Sequence, residues 1–120
     1  HTIDERKSAW NKTFDRFADS VTDWSGLQEG KDYLWQKQLH LYEVPFYYIE
    51  YGMAQLGAIA VWRNYRENKQ QGLRGYKDAL TLGNLTTIPE IYKKAGIKFD
   101  FSRAYIKELM NFVQEELNKI

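Results

Sequence analysis

Hydrophobic side chains recur along most of the chain at spacings of three and four residues, which is the period of an amphipathic α-helix. Near the N-terminus, Thr2 and Glu5 have the spacing of a capping box, and the apolar residues Trp10 and Phe14 follow on one helical face. This pattern predicts a first helix over residues 3–18.

The longest apolar stretch begins at Val44-Pro45 and extends to about Arg66. It is apolar on almost every face, and it contains five small residues: Gly52, Ala54, Gly57, Ala58 and Ala60. A helix of this composition is buried on most faces, and small residues let neighbouring backbones approach closely. We therefore predict one long helix over residues 45–66 at the centre of a bundle. Because Glu50 and Gln55 interrupt the apolar run, we do not expect it to span a membrane.

The rest of the pattern is also helical. A break at Gln71-Gly72 separates the long helix from the next one. The further predicted helices cover residues 32–39, 73–83, 88–95 and a last segment capped by Ser102, with an extended connector at residues 97–101. The predicted fold class is all-α, a helical bundle built around the helix at 45–66, with residues 1–120 forming a single domain.

Charge and composition narrow the function classes. The 120 residues include 17 Lys and Arg against 16 Asp and Glu, a net charge of +1, and no cysteine. Proteins that bind nucleic acids or acidic membranes usually carry an excess or a patch of basic residues. Because this chain has no such excess, we expect no nucleic acid and no membrane as partners. The chain opens without a signal-peptide pattern, which predicts a cytoplasmic protein.

The histidine count limits metal and nucleophile chemistry. His1 and His40 are the only histidines, so the chain cannot hold a His-Glu-x-x-His zinc motif. It also has no Gly-x-Ser-x-Gly elbow and no glycine-rich phosphate loop. We therefore assign no metal ligand to this chain.

Candidate chemistry concentrates between His40 and Tyr51. On a helix that begins near Pro45, Tyr48 and Tyr51 share one face, because they are three residues apart. A tyrosine hydroxyl remains a donor at neutral pH, and one that faces a cleft can donate to a developing oxyanion. The alternative is that the tyrosines are packing residues with satisfied hydroxyls and that His40 is an ordinary loop residue.

Two segments here carry a family resemblance, YLWQKQLH at 33–40 and VPFYYIEYGMAQLGA at 44–58. They resemble the C-terminal region of oligoendopeptidase F enzymes, within the zinc metallopeptidase family that includes thimet oligopeptidase. The resemblance continues upstream and downstream and covers nearly the whole chain. Its other segments are residues 2–6, 23–27, 76–83, 88–92 and 95–102.

The resemblance implies a peptide-bond hydrolase whose zinc is held by His-Glu-x-x-His and a later glutamate, on the N-terminal side of this region. In the full-length enzyme the cofactor would be zinc and the substrates short peptides. The family's His…Tyr-x-x-Tyr element corresponds to His40, Tyr48 and Tyr51. Tyr51 and His40 would be catalytic donors to the oxyanion and the substrate carbonyl, while Tyr48 and Tyr47 would bind substrate.

Two function classes stay open for the chain itself. The first is the C-terminal portion of a zinc oligoendopeptidase, which by itself is predicted to be inactive. The second is a stand-alone helical module that binds peptides or proteins without catalysis. An apolar face left exposed would also favour self-association of the chain.

Overall fold

The computed structural model describes residues 1–120. It contains seven α-helices and no strand, which confirms the predicted all-α class. The helices are α1 (Ile3–Phe14), α2 (Gln28–Tyr33), α3 (His40–Glu43), α4 (Tyr48–Glu67), α5 (Lys69–Leu80), α6 (Ile88–Lys94) and α7 (Arg103–Leu117), and a short 3₁₀ helix covers Leu34–Lys37. None of the helices combines the length and the apolar character that a membrane span requires.

The chain divides into two compact units, His1–Tyr47 and Tyr48–Ile120. We refer to them as the N-terminal unit and the C-terminal unit. The boundary falls inside the predicted His/Tyr element. The assignment of residues 1–120 to a single domain stays a prediction.

The N-terminal unit is joined by polar contacts. Thr2 and Glu5 form the predicted capping box at the start of α1. Trp10 Nε1 donates to the Lys31 carbonyl at 2.9 Å, and Asn11 Nδ2 donates to Asp32 Oδ1 at 2.7 Å. These bonds hold α1 against α2, and no residue of this unit is buried.

Helix α1 ends at Phe14, four residues before the predicted end. Beyond it, the Asp19 carboxylate accepts the backbone N–H groups of Val21 and Thr22, at 2.8 and 2.6 Å. A short polar side chain that bonds nearby backbone competes with helix formation. The first helix is shorter than its apolar pattern indicated, and the chain turns at residues 15–17 before it reaches Asp19.

The C-terminal unit holds the core. Leu109 is fully buried, and Ala60 and Tyr105 pack with it. Helix α4 lies against both α5 and α7, so α4 is the central helix of this unit. Trp62 meets Phe112 of α7 edge-on, with 4.8 Å between ring centroids.

Helix α4 departs from the prediction in two ways. It begins at Tyr48 instead of residue 45, because Phe46 has a φ of +66°, which lies outside the right-handed helical region. Its buried residues are Gly57 and Ala60 alone, so it is not buried on most faces. The close-approach argument holds at Gly57, where a methyl group would lie 2.6 Å from the Tyr92 hydroxyl oxygen.

The predicted break at Gln71-Gly72 is wrong. Helix α5 begins at Lys69, and the Asn68 side chain caps it by accepting the Gln71 N–H at 3.0 Å. Gly72 lies inside the helix, where a Cβ would come within 2.7 Å of the Tyr65 Cα. This glycine serves close backbone packing and does not end a helix.

The last two helices follow the sequence closely. Helix α6 covers Ile88–Lys94, with Thr87 at its N-cap and Pro89 in its first turn. Ser102 caps α7 by accepting the Tyr105 N–H at 3.3 Å, as predicted. Between them, residues 97–101 form neither a helix nor a strand.

Candidate active site

The N-terminal unit brings together two of the predicted site residues. His40 is the first residue of α3, and Tyr47 follows in the turn after Pro45. Their rings lie 5.4 Å apart between centroids at an interplanar angle of 36°. His40 is partly buried, and Tyr47 is 41% exposed. The pair offers an imidazole and a phenol side by side.

The C-terminal unit brings together the other two. Tyr48 and Tyr51 lie one turn apart at the start of α4, with ring centroids 5.8 Å apart. They are 43% and 53% exposed, and neither belongs to the apolar core. Two adjacent phenols at the accessible end of a helix can donate hydrogen bonds to a carbonyl oxygen.

A third tyrosine supports this end of α4. Tyr92 of α6 donates its hydroxyl hydrogen bond to the Met53 carbonyl at 2.9 Å. Burial raises the pKa of the Tyr92 phenol, so the group remains a donor over a wide pH range. Tyr92 was not among the site residues predicted from the sequence. Gly57 was a possible signal for it. Glycine inside a helix lowers helix stability by about 1 kcal/mol relative to alanine, so its presence suggests that another group packs closely at that position.

An apolar groove of about 590 Å³ lies in the same unit, between α4, α5 and α6. Val61, Leu73 and Leu80 are among its lining residues, and Leu73 and Leu80 are 42% and 60% exposed. Tyr48 and Tyr51 do not line it. The groove and the tyrosine pair are therefore separate surfaces of the C-terminal unit.

The donor groups of this chain do not fit a zinc site. A catalytic zinc takes three protein ligands, from His, Cys, Asp or Glu. No group of three such residues lies together in the structure. The surfaces described above can offer hydrogen bonds to a substrate, but they cannot hold the metal.

Comparison with known proteins places this chain among the hydrolases that cleave peptide bonds with a metal ion. A family model for peptidase family M3 matches residues 1–111, and the chain belongs to that family. No curated protein matches the chain, and no solved structure does either. The resemblance seen in the sequence is thereby confirmed at the level of the family, whose members are in general zinc-dependent.

Proposed function

We propose that this chain is the C-terminal portion of a zinc-dependent oligoendopeptidase of the oligoendopeptidase F type. It supplies hydrogen-bond donors to short peptide substrates, and it supplies no zinc ligand. The observation that carries the proposal is the exposed, adjacent pair Tyr48 and Tyr51 on the first turn of α4, in a chain of family M3.

Each residue has a distinct role in this proposal. Tyr51 donates to the oxyanion that develops when the peptide carbonyl is attacked, and His40 is a second donor to the substrate carbonyl or backbone. Tyr48 binds the substrate with its hydroxyl, and Tyr47 assists it. Donors that are fixed before the reaction stabilise developing charge at little reorganisation cost.

The metal belongs to polypeptide outside residues 1–120 in this proposal. Because this chain has no set of three zinc ligands, its residues act by binding and orienting the substrate. The 120-residue chain by itself is predicted to have no peptidase activity. A cytoplasmic location stays a prediction.

Replacement of Tyr51 by phenylalanine in the complete peptidase tests the proposal. The loss of one preorganised oxyanion donor is expected to lower kcat by about 10²–10³-fold. Zinc content, measured by atomic absorption, should not change, because the phenol is not a ligand. The matched control is Tyr76→Phe, which removes the hydroxyl of a similarly exposed tyrosine on α5 and should leave turnover unchanged. Near-normal turnover of Tyr51→Phe would contradict the assignment of Tyr51 as the oxyanion donor.

A second candidate function is favoured by the apolar groove of the C-terminal unit. A groove with exposed leucines suits a peptide or a helix, as a stand-alone binding module would require. A His-Glu-x-x-His motif within about a hundred residues upstream in the same reading frame would decide for the peptidase. Self-association through the exposed apolar face stays a prediction under either function.

A further inference from the structure

We propose that Tyr92 is a positioning residue that fixes the start of α4, where Tyr48 and Tyr51 lie. This inference rests on the proposed function of Tyr51. It goes beyond that function by assigning a role to a residue of α6 that does not belong to the His/Tyr element. The contacts that carry it all lie within the C-terminal unit.

The hydrogen bond from Tyr92 reaches α4 close to the tyrosine pair. The Tyr92 hydroxyl donates to the carbonyl of Met53, two residues after Tyr51, at 2.9 Å. In an α-helix the Met53 carbonyl already accepts the N–H of residue 57. A carbonyl oxygen has two lone pairs, so it can accept the phenol as well. The bond therefore fixes α4 from the side without disturbing its internal ladder.

Gly57 makes room for this contact. A Cβ at position 57 would lie 2.6 Å from the Tyr92 hydroxyl oxygen and 3.0 Å from its ring carbon Cζ. Real Cβ atoms do not approach other atoms so closely, so a methyl group here would displace the phenol. The glycine, which costs helix stability, is explained by the tyrosine that rests on it.

Tyr92 is itself held in place, as a positioning residue has to be. Its ring meets Phe99 edge-on, with centroids 5.2 Å apart, and Phe99 meets Phe101 in the same way at 4.9 Å. The Tyr92 carbonyl accepts the N–H of Ile97 at 3.0 Å. These contacts fix both the ring and the backbone of the residue.

The start of α4 needs such support because its own side chains are largely exposed. Tyr48, Ile49 and Tyr51 are 43%, 66% and 53% exposed. Misplacement of a catalytic group by about 1 Å can cost about 10²-fold in rate. A lateral bond at Met53 limits how far this part of the helix can shift.

The test compares two tyrosines in the complete peptidase. Tyr92→Phe removes the hydroxyl that binds Met53, and we expect kcat to fall about fivefold to tenfold with KM nearly unchanged. The matched control is Tyr105→Phe, since the Tyr105 hydroxyl is buried in the same unit and has no hydrogen-bond partner. Tyr105→Phe should leave both constants unchanged. A Tyr92→Phe enzyme with normal kcat, or with a raised KM alone, would overturn the inference.

A double mutant separates this inference from the proposed function. If Tyr92 acts through Tyr51, then adding Tyr92→Phe to Tyr51→Phe causes no further loss. Independent, multiplied losses would overturn the positioning role while leaving the role of Tyr51 intact. A silent Tyr51→Phe would overturn the proposed function and this inference with it.

A second variant guards against an effect on folding alone. Gly57→Ala displaces the phenol from the opposite side of the contact, and it should lower kcat in the same way and not add to Tyr92→Phe. Circular dichroism at the assay temperature checks that each variant is folded. Folded Gly57→Ala with normal kcat would count against the positioning role.

Discussion

The two halves of α4 have similar apolar sequences and different surroundings. In the first half, Tyr48, Ile49 and Tyr51 are exposed. In the second half, Ala60 is buried, and Trp62 packs on α7. An apolar sequence therefore shows which side chains could be buried, but the packing of a neighbouring helix determines whether they are buried.

The difference has a direct structural cause. The second half faces the Leu109 core and is joined to α7 by the ion pair of Arg63 Nη1 with Glu108 Oε1 at 2.6 Å. In the first half, the bond from Tyr92 to Met53 supplies a polar contact with α6. The second half of α4 is thus packed against the core, while the first half is more exposed and carries the tyrosine hydroxyl groups. Each half can be tested separately.

The largest effect on stability should come from the core beneath the second half. Leu109→Ala removes a fully buried side chain, and the cavity should lower the free energy of unfolding by about 2–5 kcal/mol. Ile49→Ala, in the exposed first half, should change it by less than about 0.5 kcal/mol. Urea unfolding followed by circular dichroism measures both. Equal effects would mean that Ile49 is as deeply buried in solution as Leu109, which would contradict the exposed first half of α4.

Alanine substitutions at the two glycines of α4 should have smaller effects on the free energy of unfolding, and the two effects should have opposite signs. A Cβ at position 52 would meet open space, with no neighbouring atom within 4 Å, so Gly52→Ala should stabilise the chain by about 0.5–1 kcal/mol. Gly57→Ala gains the same propensity but must displace Tyr92, so a net loss of about 1 kcal/mol is expected. Thermal unfolding of the two variants gives the comparison. A stabilised Gly57→Ala would contradict the close contact.

The smallest effect concerns the cap of α6, the helix that carries Tyr92. Hydrogen bonds from Thr86 and Thr87 lower the pKa of Glu90 to about 2. A lowered carboxyl pKa stabilises the fold above the ordinary value near 4.5, and this contribution is lost as the pH falls from there towards 2. Glu90→Gln should therefore reduce the difference in unfolding free energy between about pH 6 and about pH 3. An unchanged pH dependence would show that the cap does not form in solution.

The elements that the sequence predicted well are those whose ends are determined by local chemistry. Pro89 and Ser102 mark the starts of α6 and α7 in the sequence, and both helices begin there. A cap acts within one turn, so its signal is complete in the sequence. By contrast, Gly72 resembles a helix breaker, and its true role depends on the Tyr65 backbone, which only the fold brings close.

The candidate site also combines features that could be predicted from the sequence with features that could not. The neighbourhood of Tyr48 and Tyr51 follows from helical spacing, and the ring contact agrees with it. The late start of α4 could not be predicted, because the left-handed backbone of Phe46 has no sequence signal in an aromatic residue. Tyr92 lies 39 residues from Met53 in the chain, so its contact is a property of tertiary structure.

The contact between Gly57 and Tyr92 also limits how this sequence can vary. A side chain at position 57 and a phenol at position 92 compete for the same space. Neither position can change freely while the other is kept, because a larger residue at 57 requires a smaller or redirected one at 92. We therefore expect a substitution at one of the two positions to be tolerated only together with a matching change at the other, although neither residue belongs to the set that would touch a substrate.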